Sequence, residues 1–123
     1  MKTLRFTAIL LLTGCTTSGA NRVASNDGAY SVIWSTTPAA IPVDEYFSVT
    51  AQVTPTPARV VIDAVMPGHR HGMLNEAFME HTSADTWTAQ DMLFHMHGHW
   101  ELRFDITDGE GTVHRAQTDV HLE

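Results

Sequence analysis

From Ala29 onward the chain alternates apolar and polar residues with a period of two. Tyr30, Val32 and Trp34 alternate with Ser31, Ile33 and Ser35. Phe47, Val49, Ala51 and Val53 alternate with Tyr46, Ser48, Thr50 and Gln52. Val60, Ile62, Ala64 and Met66 alternate with Val61, Asp63 and Val65. The longest series sets Phe94, Met96, Trp100, Leu102, Phe104 and Ile106 against His95, His97, His99, Glu101, Arg103 and Asp105, and only Gly98 interrupts it. Ala116, Thr118, Val120 and Leu122 then oppose Gln117, Asp119 and His121. Successive side chains of an extended strand point to opposite faces, so this pattern predicts strands with one buried face and one wet face.

Turn-forming residues separate the runs. They are Thr36-Thr37-Pro38 through Pro42, Pro55-Thr56-Pro57, and Asp108-Gly109-Glu110-Gly111, the last predicting a hairpin between two long strands. No long segment holds a helical period. Residues 73–81 fit one helical turn or a short strand. The pattern therefore predicts an all-β fold, an immunoglobulin-like β-sandwich of about seven strands over residues 29–123. Trp34, Trp87, Trp100, Phe47, Phe94 and Phe104 are its expected core anchors.

The amino terminus departs from this pattern. Lys2 and Arg5 precede an apolar run from Phe6 to Leu12, too short to span a bilayer as a mature helix. Leu12-Thr13-Gly14-Cys15 resembles the bacterial lipobox. Residues 1–14 are thus expected to be a lipoprotein signal peptide, with Cys15 as the lipid attachment point. Residues 16–28 hold one large apolar residue, Val23. Such a stretch repays little of its ordering entropy, so residues 15–28 read as a lipidated Cys and flexible tether. Thr16 in place of Asp after the Cys resembles the sorting pattern that favours the outer membrane. The expected location is the cell envelope, anchored to the membrane and facing the periplasm.

Composition narrows the chemistry. The chain of 123 residues carries a formal charge of −7, eight His and one Cys. Cleavage before Cys15 would leave 109 residues, five Arg, no Lys and a charge of −9. That balance excludes a nucleic-acid partner, whose phosphates require Lys and Arg. One Cys excludes a disulfide framework, a Cys-based zinc finger and a self-ligated iron–sulfur cluster. There is no phosphate loop, no His-Glu-x-x-His and no Gly-x-Ser-x-Gly, so an enzyme is not expected.

Five of the eight His fall in two clusters: Met66-Pro67-Gly68-His69-Arg70-His71-Gly72-Met73 and Phe94-His95-Met96-His97-Gly98-His99-Trp100. His-x-His spacing puts two imidazoles on one side of an extended chain, about 6–7 Å apart along the backbone. Thioether together with imidazole suits copper(I), and imidazole alone suits zinc or copper(II). In one regular strand over residues 94–106, His95, His97 and His99 would face solvent and Met96 the core. In a loop before Gly98, His95 and Met96 could both approach a site. His81, His114 and His121 are isolated and are taken as non-ligands.

The two clusters, followed by Glu101-Leu102-Arg103-Phe104-Asp105-Ile106, resemble the YtkA-like domain family over roughly residues 60–122. The resemblance implies a small bacterial envelope protein with an immunoglobulin-like fold, linked to copper or to respiratory-oxidase assembly. A metallochaperone or oxidase-assembly partner follows from that link. Residue by residue, it carries over His69, His71 and Met73 from the first cluster, and His95 and Met96 from the second. Gly98 and Trp100 are its structural markers. Relatives commonly have Pro where this chain has His97, so His97 and His99 add two imidazoles. The reading is a lipid-anchored protein that binds copper, with zinc as the alternative, for capture or hand-over. The competing reading is a non-catalytic envelope interaction module with no metal.

Overall fold

The computed structural model describes residues 20–123. The expected signal peptide and Cys15 lie outside the described residues. The described residues contain no helix and nine strands: β1 (Asn21–Ala24), β2 (Ser31–Thr37), β3 (Tyr46–Thr54), β4 (Arg59–Met66), β5 (His71–Gly72), β6 (Phe78–Ser83), β7 (Thr86–Leu93), β8 (Gly98–Thr107) and β9 (Val113–Leu122). They form two antiparallel sheets, ordered β1-β2-β3-β7-β6 and β5-β4-β8-β9. The molecule is a β-sandwich, as the alternation predicts.

Each apolar set fills the space between the sheets. Val49, Ala51 and Val53 of β3 and Trp87 of β7 are buried on one side; Ile62, Ala64, Leu102 and Phe104 answer from β4 and β8. All six expected anchors are buried. Trp34 and Phe104 meet across the sheets at 6.2 Å between ring centres. The predicted hairpin joins β8 to β9, with Thr107 opposite Val113. Asp108 closes its turn by accepting the Glu110 and Thr112 N–H groups at 2.9 and 3.0 Å.

The count of nine exceeds the expected seven because β1 and β5 are added. β5 has only two residues. β1 lies in the stretch expected to be tether, so strand structure is already present at Asn21, ahead of Ala29. Polar composition does not prevent this, because the strand is held by backbone pairing and a few polar contacts. Asn21 to Ala24 pair with Trp34 to Ser31, and Val23 packs on the core. Ser25 is buried; its Oγ donates to Asp27 at 2.8 Å and accepts the Tyr30 N–H at 2.9 Å. The Asn26 N–H reaches the Arg115 carbonyl of β9 at 2.8 Å.

His114 of β9 completes this attachment. Nδ1 faces Asp27, and Nε2 faces Asp108 at 2.9 Å. The Tyr30 ring meets the imidazole edge-on at 5.0 Å. Only the protonated ring donates from both nitrogens. The Asp108 and Asp27 hydrogen bonds accordingly raise the His114 pKa above its ordinary 6.5. The His114 bond, with help from Ser25, holds Asp27 down at about 2 against an ordinary 3.8.

The contribution to stability has two limits. A raised imidazole pKa stabilises fully below 6.5 and is lost as pH rises through the folded value. A depressed carboxylate stabilises fully above 3.8 and is lost as pH falls through about 2. The difference in thermal midpoint between the native chain and His114→Gln should therefore be largest between pH 3.8 and 6.5 and shrink on the alkaline side. Thermal unfolding across that range measures it. A gap that widens with rising pH would contradict this account.

The chain changes sheet at residues 55–58, 73–77 and 94–97. Residues 73–77 pass along the side beside β4, whereas the last crossover lies at the end of the sandwich that bears the β4–β5 turn. Since β1 is antiparallel to β2 and starts opposite Trp34, the chain enters the fold from that same end.

Candidate metal site

The first cluster forms the β4–β5 turn. The His69 N–H bonds to the Met66 carbonyl at 3.1 Å, closing a turn through Pro67 and Gly68. Arg70 then adopts a φ of 55°, a sparsely populated conformation for a residue with a side chain. This reverses the chain so that His71 pairs back onto Met66. His69 and His71 thus project from one tight turn, with ring centres 5.5 Å apart.

The second cluster is split. The alternation from Phe94 to Ile106 does not describe one strand: β7 ends at Leu93, β8 begins at Gly98, and residues 94–97 cross between sheets. Gly98 has a φ of 124°, and a Cβ there would lie 3.2 Å from the Met66 terminal methyl. The backbone angle requires glycine at the entry to β8, while the contact would need only a small shift of the Met66 side chain. Phe94 stays buried, stacked on Trp100 at 4.5 Å and packed edge-on against Phe47 at 4.9 Å. Its carbonyl accepts the Asp44 N–H at 2.8 Å. The Trp100 indole N–H donates to the Met96 carbonyl at 3.0 Å and fixes the crossover from below.

The crossover and the turn meet. The His71 and His95 ring centres are 5.5 Å apart, so His71 neighbours both His69 and His95 at the same separation. Trp100 floors the group, edge-on to His95 at 5.5 Å and to His71 at 6.4 Å. His71 Nδ1 lies 3.1 Å from the Gly72 carbonyl. A proton on Nδ1 satisfies that carbonyl and leaves the Nε2 lone pair free. His95 Nδ1 is buried and has no hydrogen-bond partner among the described residues. A buried polar atom left unpaired costs about 1–3 kcal/mol.

These distances can be compared with ligation. Two imidazoles bound to one ion at nitrogen distances of about 2.0–2.1 Å hold their ring centres about 5–6 Å apart. Both pairs involving His71 fall in that range. Among the described residues, no three His, Cys, Asp or Glu side chains converge well enough to hold an ion by themselves. A third donor to any ion held here would have to come from small ring rotations or from sulfur. Met73 and Met96, the expected sulfur donors, are half-buried and packed against the core beside the imidazoles in sequence. Arg70 and Arg103 share a shallow depression with His71. Arg103 is paired with Glu101 at 2.7 Å.

Of the other imidazoles, His97 is exposed at the tip of the crossover. His81 stacks on Trp87 at 4.3 Å, a packing role. His121, expected to be isolated, is not: it lies directly opposite His99 across β8 and β9, their rings stacked at 4.7 Å. The hairpin turn at residues 108–111 carried the signal for this pairing, since it sets the register of both strands.

No family model, curated protein or solved structure matches the chain.

Proposed function

We propose that this is a lipid-anchored envelope protein of the YtkA-like kind that binds a transition metal, copper first and zinc as the alternative, for capture or hand-over. The observation that carries the reading is the position of His71, with His69 and His95 each at 5.5 Å. Two further features support it. The Gly72 carbonyl orients the His71 ring, the usual companion of a ligating imidazole. An ion on His95 Nδ1 would relieve a buried, unpaired nitrogen.

Met73 and Met96 supply the soft donors that would favour copper(I) over zinc. Copper is cargo in this reading. A turn and a crossover hold the imidazoles at the rim of the fold, where an incoming protein can reach them. Such a partner would be a metallochaperone or an oxidase-assembly factor. The acidic balance of the mature domain raises the local cation concentration at low salt.

Titration of the full chain with copper(I) against a competing chelator tests this. Binding should be strong in the native chain and lost when His69, His71 and His95 are all replaced by Asn. Unchanged affinity in that triple variant would leave the interaction module without metal as the better reading.

A further inference from the structure

The outer face of the second sheet carries a separate group of metal-binding side chains. His99 of β8 and His121 of β9 are directly opposite in register, and both side chains turn away from the core that Trp100, Leu102 and Val120 face. Directly paired cross-strand residues bring their Cβ atoms about 4.5–5.5 Å apart. The two rings lie nearly parallel, 17° between planes, with centres 4.7 Å apart. His99 Nε2 is 2.7 Å from Asp119 Oδ1. Asp119 is itself opposite Glu101.

We propose that His99 and His121 form a second transition-metal site, for a divalent ion, with Asp119 as its positioning residue. Two imidazoles sharing one ion at an angle of about 90–110° place their ring centres about 4.5–5 Å apart. The observed stack has that spacing with the ring planes nearly parallel, so rotation of the His121 ring about its Cβ–Cγ bond is what turns its lone pair toward that of His99. The carboxylate fixes the tautomer. A proton on His99 Nε2, donated to Asp119, leaves the Nδ1 lone pair for the ion, the carboxylate–histidine–metal arrangement. His121 supplies the second nitrogen, and water completes the coordination on this open face. The donor set is nitrogen without sulfur, which suits copper(II) and zinc, with copper(II) bound more tightly. The carboxylates of Asp119 and Glu101 offset the charge of the ion. No ligand is shared with the His71 group, so either site stands or falls without the other.

The test uses the full chain carrying His69→Asn, His71→Asn and His95→Asn, which silences the first group. Titration with copper(II), with free glycine as competitor, should show one ion per chain. Paramagnetic resonance of that ion should show coupling to imidazole nitrogen. Adding His99→Asn and His121→Asn should abolish the binding, and Asp119→Asn should weaken it by about 10–100-fold. His97→Asn should leave it unchanged. Far-ultraviolet circular dichroism verifies that each variant is folded. The proposal is overturned if copper(II) binds the folded chain equally well without His99 and His121, or does not bind the silenced chain at all.

Discussion

Replacing Trp100 with Ala is expected to cost about 3–5 kcal/mol of stability and to weaken copper binding as well. The two effects have one origin. Trp100 has no solvent exposure, stacks on Phe94, and sits edge-on beneath His71 and His95. Removing the indole opens a cavity under the crossover and withdraws the floor of the imidazole group. Urea unfolding measures the first effect and copper(I) competition the second. Trp100→Phe separates them. Phenylalanine keeps the stack on Phe94 but donates nothing to the Met96 carbonyl, at a cost of about 1–3 kcal/mol for the orphaned acceptor. A folded Trp100→Phe chain with weakened copper binding would identify the indole N–H as the tie that positions His95. Full affinity in that variant would contradict such a role.

Single substitutions within the imidazole group should also be unequal. His71→Asn is expected to lower copper(I) affinity by about 100-fold or more, above the range for losing a supporting partner alone. His69→Asn and His95→Asn should each cost about 10-fold, because His71 then keeps one neighbour at 5.5 Å. Losing His71 removes both pairs at once. Competition titrations of the three variants measure the order. Equal losses at all three positions would mean that His71 has no central role.

The period of two made the sandwich legible, since each buried face reads directly as an apolar series. Three features escaped it for physical reasons. β1 lacks the apolar series because edge pairing, Ser25 and the Asp27–His114 contact hold it, and those partners lie far away in sequence. The break between β7 and β8 is hidden because Phe94 stays buried after leaving the strand, so the alternation runs on through a crossover. Spacing alone placed His69 beside His71. The approach of His95 depends on the Arg70 reversal and the Gly98 entry, backbone geometry with no periodic signature. The partnership of His99 with His121 was available in principle, from the hairpin turn counted outward residue by residue.

On the proposed lipid anchor, the entry of β1 would decide which way the imidazoles look. If Cys15 carries the lipid, as proposed, five residues lie between it and Asn21, a reach of about 20 Å at full extension. The chain enters the sandwich at the end that bears the β4–β5 turn and the 94–97 crossover. The His69–His71–His95 rim would therefore hang toward the bilayer, and the hairpin at residues 108–111 toward the aqueous space. A donor or acceptor of the ion would meet this protein at the membrane surface, beside the headgroups.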